Sequence, residues 1–209
     1  MSKEEVVLLD FWISAFCIRA KIALAEKGVA FEVIQEDLFG GKSELLLKLN
    51  PIYQEVPVLL HNGKPVCEST NIVSYIGETW PSPPLLPPCP YGRASARFWA
   101  DFIDKKRPCD EQRRGTRGGK KELLEILMQL EEVLGEKDYF GGDSFGFLDI
   151  TALPFPWLYS YEEFGGLKLD YHCPKFYAWI KRCMERESVA KHLPDTEKVY
   201  DFVVNRKNN

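Results

Sequence analysis

Ser14 stands at the join between a short apolar run, Val6-Val7-Leu8-Leu9, and a helical stretch that runs to Lys27 and stops at Gly28. A short apolar run that turns into a helix is the pattern of a strand followed by the first helix of a βα unit. Ser is a preferred N-cap, and Gly is the residue expected just past a helix end. The pattern therefore sets a hydroxyl at the positive end of a helix that leaves the end of a strand. Unpaired backbone N–H groups and the helix dipole both point there, so the place favours anions and thiolates. The plain alternative is a helix cap with no further role. Glu68-Ser69 sets a carboxylate and a second hydroxyl at another helix start, where the same two readings apply.

The elements that position these groups alternate through the first 80 residues. A strand is predicted over 6–11, a helix over 16–27 and a second, alternating strand over 31–35. Residues 42–49, rich in Leu and Lys, form a short helix that Asn50-Pro51 stops. A third strand covers 58–61, and Asn62-Gly63 is a strong hairpin signal. Val66-Cys67 lies in the returning strand, and 69–80 is a helix that opens on Ser69. The order βαβ, α, ββα makes residues 1–80 a small α/β domain.

Prolines at 81, 83, 84, 87, 88 and 90 exclude helix interior and central strand, so 81–90 is a stiff linker. Residues 91–209 read as all-helical. A helix over 91–106 carries Phe98, Trp99, Phe102 and Ile103 at helical spacing, and one over 120–134 puts Leu123, Leu124, Leu127, Leu130 and Leu134 on one stripe. Residues 150–164 are apolar almost all round and suit a buried central helix, kinked at Pro154 and Pro156. Helices over 175–187 and 197–206 close the chain. Pro108, Gly115, Gly118 and Gly119 make 107–121 a basic loop.

Composition bounds the rest. The chain has 209 residues, 45% apolar, with a net charge of −4. That charge suggests no nucleic-acid partner. No run reaches the roughly 18 apolar residues of a membrane span, and the charged start, Met1-Ser2-Lys3-Glu4-Glu5, lacks a signal-peptide apolar region. A cytoplasmic protein is expected. Its six cysteines, Cys17, Cys67, Cys89, Cys109, Cys173 and Cys183, show neither a CxxC pair nor zinc spacing, so most are expected to be free thiols in apolar packing, with no metal site.

A βαβ–α–ββα domain, a proline-rich linker and an all-helical domain together resemble a cytosolic glutathione transferase. The motifs narrow the likeness to the plant tau class: Leu8-Leu9-Asp10-Phe11-Trp12, Arg19 with the stretch from Ile22 to Gly28, the stretch from His61 to Ser69, Arg97-Phe98-Trp99-Ala100-Asp101, Tyr139-Phe140-Gly141-Gly142-Asp143, and Cys173-Pro174-Lys175-Phe176. The resemblance spans nearly the whole chain. It implies an α/β N-terminal thioredoxin-like domain plus an all-α C-terminal helical domain. It also implies a homodimer, glutathione as co-substrate without a separate cofactor, and small hydrophobic electrophiles as the second substrate, in detoxification and plant stress response.

Site roles follow from the same resemblance. Ser14 stabilises the glutathione thiolate by donating a hydrogen bond; a free thiol titrates near ~8.5 and needs such help at neutral pH. Val56-Pro57 matches the thioredoxin-fold cis-proline, where the backbone of Val56 pairs with the cysteinyl part of glutathione. Ser69 and its backbone N–H take the γ-glutamyl carboxylate, Glu68 faces the γ-glutamyl ammonium, and Lys42 meets the glycine carboxylate. Trp12, Phe16, Pro108, Gln112, Trp157 and Phe202 line the electrophile pocket contributed by the helical domain at the cleft.

Three departures stand out. Ala15 replaces the family's usual Pro. Glu55, in Tyr53-Gln54-Glu55, puts a negative charge where a lysine usually helps hold the glycine carboxylate. The 107–119 segment replaces family helix that usually covers the second-substrate pocket. Gly146-Phe147-Leu148-Asp149 resembles the capping box of the central helix, with Gly146 in place of Ser or Thr. The reading is a glutathione transferase. The alternatives are a non-catalytic carrier of hydrophobic ligands and a thiol-disulfide oxidoreductase. The second meets Ser14 where the first cysteine of a glutaredoxin CxxC would stand.

Overall fold

The computed structural model describes residues 4–106, 117–154 and 168–207. The chain divides into two compact units, Met1–Pro84 with His192–Pro194, and Leu85–Lys191 with Asp195–Asn209. Among the described residues no helix is long and apolar enough to cross a membrane.

In the first unit β1 (Val6–Asp10), α1 (Ala15–Glu26), β2 (Glu32–Gln35), α2 (Glu44–Leu49), β3 (Val58–His61), β4 (Lys64–Cys67) and α3 (Ser69–Thr79) follow in the expected order. The sheet order is β2-β1-β3-β4. β1 runs parallel to β2 and antiparallel to β3, and β4 returns antiparallel to β3. Gly63 turns the hairpin at positive φ, as Asn62-Gly63 requires. Leu8, Leu9, Val58 and Leu59 are fully buried in the two central strands. α1 is buried nearly all round by Cys17, Ile18, Ala20, Ile22, Ala23 and Leu24, and it carries Arg19 and Lys21 into the interior with them.

Several expectations are corrected here. α2 begins at Glu44 rather than at Lys42, because Ser43 is the N-cap and its Oγ accepts the Leu46 N–H at 3.0 Å. β2 alternates in sequence, yet Val33 and Ile34 are 43% and 40% exposed. It is an edge strand with a single paired neighbour, and all four of its residues are exposed, so its alternation buries neither face.

The second unit holds α4 (Pro90–Lys106), α5 (Arg117–Leu134), α6 (Phe147–Ala152), α7 (Leu169–His172), α8 (Pro174–Met184), α9 (Glu187–Ala190) and α10 (Thr196–Lys207). Pro90 opens α4, a first-turn position where its missing N–H costs nothing. α5 starts at Arg117, so Gly118, Gly119, Lys120 and Lys121 are helical rather than loop. The leucine stripe behind them carries the helix through residues of low propensity. The helix expected over 175–187 ends at Met184 as α8, and the short helices α7 before it and α9 after it add to the expected set.

α6 begins at Phe147, earlier than the expected 150, and ends at Ala152, two residues before Pro154; residues 155–167, with Pro156, lie outside the described residues. Asp149 holds its start. Asp149 Oδ2 accepts the Gly146 N–H at 3.0 Å, while Oδ1 accepts the Phe140 N–H at 3.0 Å and the Trp179 indole N–H at 2.8 Å. This is half of a capping box, since Gly146 has no side chain to return the bond. A Cβ at Gly146 would stand 2.5 Å from the Leu85 carbonyl oxygen. That close approach explains Gly where the family pattern carries Ser or Thr.

Candidate functional site

Strand register brings the sequence-predicted residues together. Gln35 on β2 pairs with Asp10 on β1, its neighbour Leu9 pairs with Val58 on β3, and Val58 pairs with Cys67 on β4. The segments just beyond this row all leave from one end of the sheet. They are the turn from Phe11 to Ser14 after β1, the Glu36–Ser43 connection after β2, Val56-Pro57 before β3, and Glu68-Ser69 after β4.

Ser14 is the N-cap of α1. Its N–H donates to the Phe11 carbonyl at 2.8 Å, and its Oγ accepts the Cys17 N–H at 3.4 Å. A hydroxyl has one hydrogen and two lone pairs, so that contact uses an oxygen lone pair and leaves the hydrogen to donate. Cys17 Sγ points back into the turn and accepts the Phe11 N–H at 3.4 Å. Burial pushes the Cys17 thiol up to about 12, with the Asp10 charge adding to the rise. Cys17 is therefore a packed thiol, inert as a nucleophile.

The Val56-Pro57 bond is cis, as the family resemblance implied, and Ser82-Pro83 is cis as well. Both Val56 and Pro57 are buried. Asn50 Nδ2 donates to the Glu55 carbonyl at 3.0 Å, so the Glu55 backbone is held while its side chain is exposed. Lys42 is exposed in the loop before Ser43.

Glu68 is exposed and occupies the N-cap position of α3, with φ +70° and no side-chain cap. A non-glycine residue in that region stores strain. Ser69 is the first helical residue and is 6% exposed. Its Oγ accepts a hydrogen bond from Arg19 Nη1 at 3.1 Å, so it serves a neighbouring helix rather than capping its own.

Two buried cations lie beside these: Arg19, named above only within the family motifs, and Lys21, which no motif carries. Arg19 is fully buried, and its guanidinium also lies 5.2 Å from the centroid of the Phe16 ring. Lys21 Nζ donates to Asp10 Oδ2 at 3.1 Å, and Gln35 Nε2 donates to the same oxygen at 2.7 Å. The available signal was two cations inside an otherwise apolar helix.

Of the expected electrophile-pocket residues, Trp12 and Phe16 are half-buried in the first unit and Phe202 is half-buried on α10 of the second. Pro108, Gln112 and Trp157 lie outside the described residues.

Comparisons with known proteins bear on the family and the fold. Residues 4–78 match the family described as "Glutathione S-transferase, N-terminal domain", and residues 106–187 match "Glutathione S-transferase, C-terminal domain". The chain is 55% identical to the probable glutathione S-transferase parC of Nicotiana tabacum, over 97% of this chain and 96% of that protein. It is 52% identical to glutathione S-transferase U25 of Arabidopsis thaliana, over 96% and 94%. Among solved structures it is similar to rice GST1 in complex with glutathione, with a TM-score of 0.86, 45% identity, and 100% of this chain and 98% of that chain covered. The tau-class enzyme of mango, Mangifera indica, matches with a TM-score of 0.83 and 37% identity, covering 96% and 97%. The chain belongs to the glutathione S-transferase family, and its likeness is to the plant tau class.

Proposed function

We propose that this glutathione transferase uses the Ser14 hydroxyl to hold the glutathione sulfur as a thiolate, which then attacks a small hydrophobic electrophile. The observation that carries the reading is the polarity of the Ser14 contact. The backbone N–H of Cys17 takes a lone pair of the oxygen, so the hydroxyl hydrogen is left to donate at the positive end of α1. A thiolate set there accepts a charge-assisted hydrogen bond and is favoured over the thiol.

The remaining groups bind the tripeptide. The Ser69 hydroxyl and the free N–H groups of the first turn of α3 take the γ-glutamyl carboxylate. Glu68 faces the ammonium, Val56 pairs its backbone with the cysteinyl unit, and Lys42 meets the glycine carboxylate. Glu55 opposes that carboxylate. The family likeness assigns Trp12, Phe16, Pro108, Gln112, Trp157 and Phe202 to the electrophile, and Pro108, Gln112 and Trp157 lie outside the described residues. Glutathione is a co-substrate, and the chemistry asks for no separate cofactor. The protein works as a cytoplasmic homodimer in detoxification and the plant stress response. Exposed Ile52 and Tyr53 on one unit and exposed Tyr91 and Phe98 on the other support a protein partner, and sedimentation at graded concentrations measures the assembly.

The buried, proton-retaining Cys17 weighs against a thiol-disulfide oxidoreductase. The deciding experiment is the ultraviolet thiolate absorbance of bound glutathione against pH, in the wild type and in Ser14→Ala. The variant should raise the bound thiol pKa by about one unit or more, equal to ~1.4 kcal/mol, and cut turnover near neutral pH by about tenfold, with partial recovery in base. Superimposable titrations would reduce Ser14 to a cap worth about 0.5–2 kcal/mol of stability. Glutathione binding without turnover on aryl halides, isothiocyanates or organic peroxides would instead make the protein a carrier.

A further inference from the structure

Glu36 is a buried acid, 5% exposed, on the connection between β2 and α2. Both oxygens of its carboxylate are spent on one residue. Oε1 accepts the Ser43 hydroxyl at 2.7 Å, and Oε2 accepts the Ser43 N–H at 3.3 Å. The Glu36 N–H donates in turn to the carbonyl of Asp10, the last residue of β1, at 2.8 Å. Ser43 is thereby tied to the end of the strand that leads into the Ser14 turn. Ser43 Oγ accepts the Leu46 N–H on a lone pair and gives its hydrogen to Glu36, so the cap and the clamp share one hydroxyl. Burying a carboxylate is costly, and here the cost is met for a single neighbour.

That neighbour directly follows Lys42, and what precedes Lys42 is the most pliant part of the loop. Gly40 and Gly41 stand in sequence, with Gly41 at φ +136°. At its far side the loop is held twice more. Asp37 Oδ1 accepts the N–H groups of Phe39 at 3.0 Å and Gly40 at 2.8 Å, and the Phe39 ring packs edge-on against Phe11 at 5.5 Å. Between these ties and Ser43 stand Gly41 and Lys42. We propose that Glu36 is a positioning residue for glutathione binding: by clamping Ser43 it holds the adjacent Lys42 where the glycine carboxylate of the tripeptide arrives, so that Glu36 tunes affinity for the glycine end and not for the γ-glutamyl or cysteinyl parts. The inference rests on the role given to Lys42 above.

The test is equilibrium binding of two ligands, glutathione and γ-glutamylcysteine, which lacks the glycine, to the wild type, Lys42→Ala, Glu36→Gln and the double variant. Glu36→Gln keeps the volume and removes the charge: its amide oxygen meets the Ser43 N–H and its NH2 meets the Ser43 Oγ, so both clamping bonds become neutral and weaker. Lys42→Ala and Glu36→Gln should each raise the glutathione Kd by about three- to tenfold, the scale of one weakened charge-assisted contact. Both should leave the γ-glutamylcysteine Kd within about twofold, and the double variant should be no weaker than Lys42→Ala alone. In turnover, KM for glutathione should rise with kcat unchanged. If Lys42→Ala weakens both ligands alike, or neither, the Lys42 role fails first. If Lys42→Ala is selective while Glu36→Gln weakens both ligands or neither, or adds in full to Lys42→Ala, Glu36 is structural and the proposal is overturned. Should Glu36→Gln not fold, Ser43→Ala opens the clamp from its other side and is judged by the same selectivity.

Discussion

Arg19 reaches from α1 to Ser69 at the start of α3, and its Nη1 donates to the Ser69 hydroxyl at 3.1 Å inside the protein. One hydroxyl thus joins a buried guanidinium to the proposed γ-glutamyl carboxylate site. With Arg19 on an oxygen lone pair, the hydroxyl hydrogen is left for the ligand. Ser69→Ala should therefore cost twice. Urea unfolding should show a loss of about 1–3 kcal/mol, because a buried donor loses its acceptor, and glutathione binding should weaken by roughly 1.5–3 kcal/mol. A loss of affinity with unchanged stability would show the Arg19 contact to be dispensable. Unchanged affinity would remove Ser69 from the site.

Glu68 separates the two quantities. Its backbone is held at φ +70°, a region that glycine enters without strain. Glu68→Gly relieves strain of about 1–3 kcal/mol in the folded chain and gives back part of it as unfolded-state entropy. Stability should stay level or rise by up to about 1 kcal/mol in urea unfolding, while glutathione affinity falls by roughly 1.5–3 kcal/mol. Retained affinity would mean that the carboxylate does not face the ligand.

Glu55 tests the charge departure. Its backbone is tied down through Asn50, and its side chain is exposed, so Glu55→Lys should leave the fold undisturbed. Glutathione should bind more tightly, by at most about 1 kcal/mol for an exposed pair, with the gain shrinking as salt rises. Calorimetric titration at two salt concentrations measures this, and an equal or weaker affinity would place the Glu55 carboxylate away from the glycine end.

Asp149 should leave a pH signature on stability. Burial pushes its carboxyl up to about 6 from an ordinary 3.8, against the pull of the hydrogen bonds from Phe140, Trp179 and Gly146. Between those two values the folded chain binds the proton more tightly than the unfolded chain, so the Asp149 contribution to stability falls as pH rises from 3.8 toward 6 and is level outside that window. The drop is on the order of 3 kcal/mol. Asp149→Asn should be less stable at every pH, since its amide meets the Gly146 N–H donor. The difference between wild type and variant should narrow as pH rises from about 4 to about 6, in urea unfolding series across that range. A constant difference would mean that Asp149 keeps its ordinary pKa.

Much of the fold and part of the site was legible in the amino-acid order, wherever the deciding forces are local. Ser14 before an apolar helix and Gly28 after it marked both ends of α1, and Asn62-Gly63 marked the hairpin. The prolines of 81–90 marked the end of the sheet-bearing part. Helix caps, left-handed turns and missing N–H donors act over a few residues, so residue type alone carries them. The motifs around Ser14 and Glu68-Ser69 carried the family for the same reason.

What the tertiary structure decided are contacts between residues distant in the chain. Ser69 looked like a cap and is instead an acceptor for Arg19, fifty residues earlier. β2 alternates in sequence yet lies exposed at a sheet edge, because strand order sets the edge and the segments packed on the sheet, not alternation, set which faces are buried. Gly118 and Gly119 looked like loop and are helical. Gly146 looked like a missing cap and leaves room for the Leu85 carbonyl. Glu36 carried no signal at all until the chain brought Ser43 to both of its oxygens. Burial and partner choice depend on which segments meet, and that information is spread over the whole chain rather than written at any one residue.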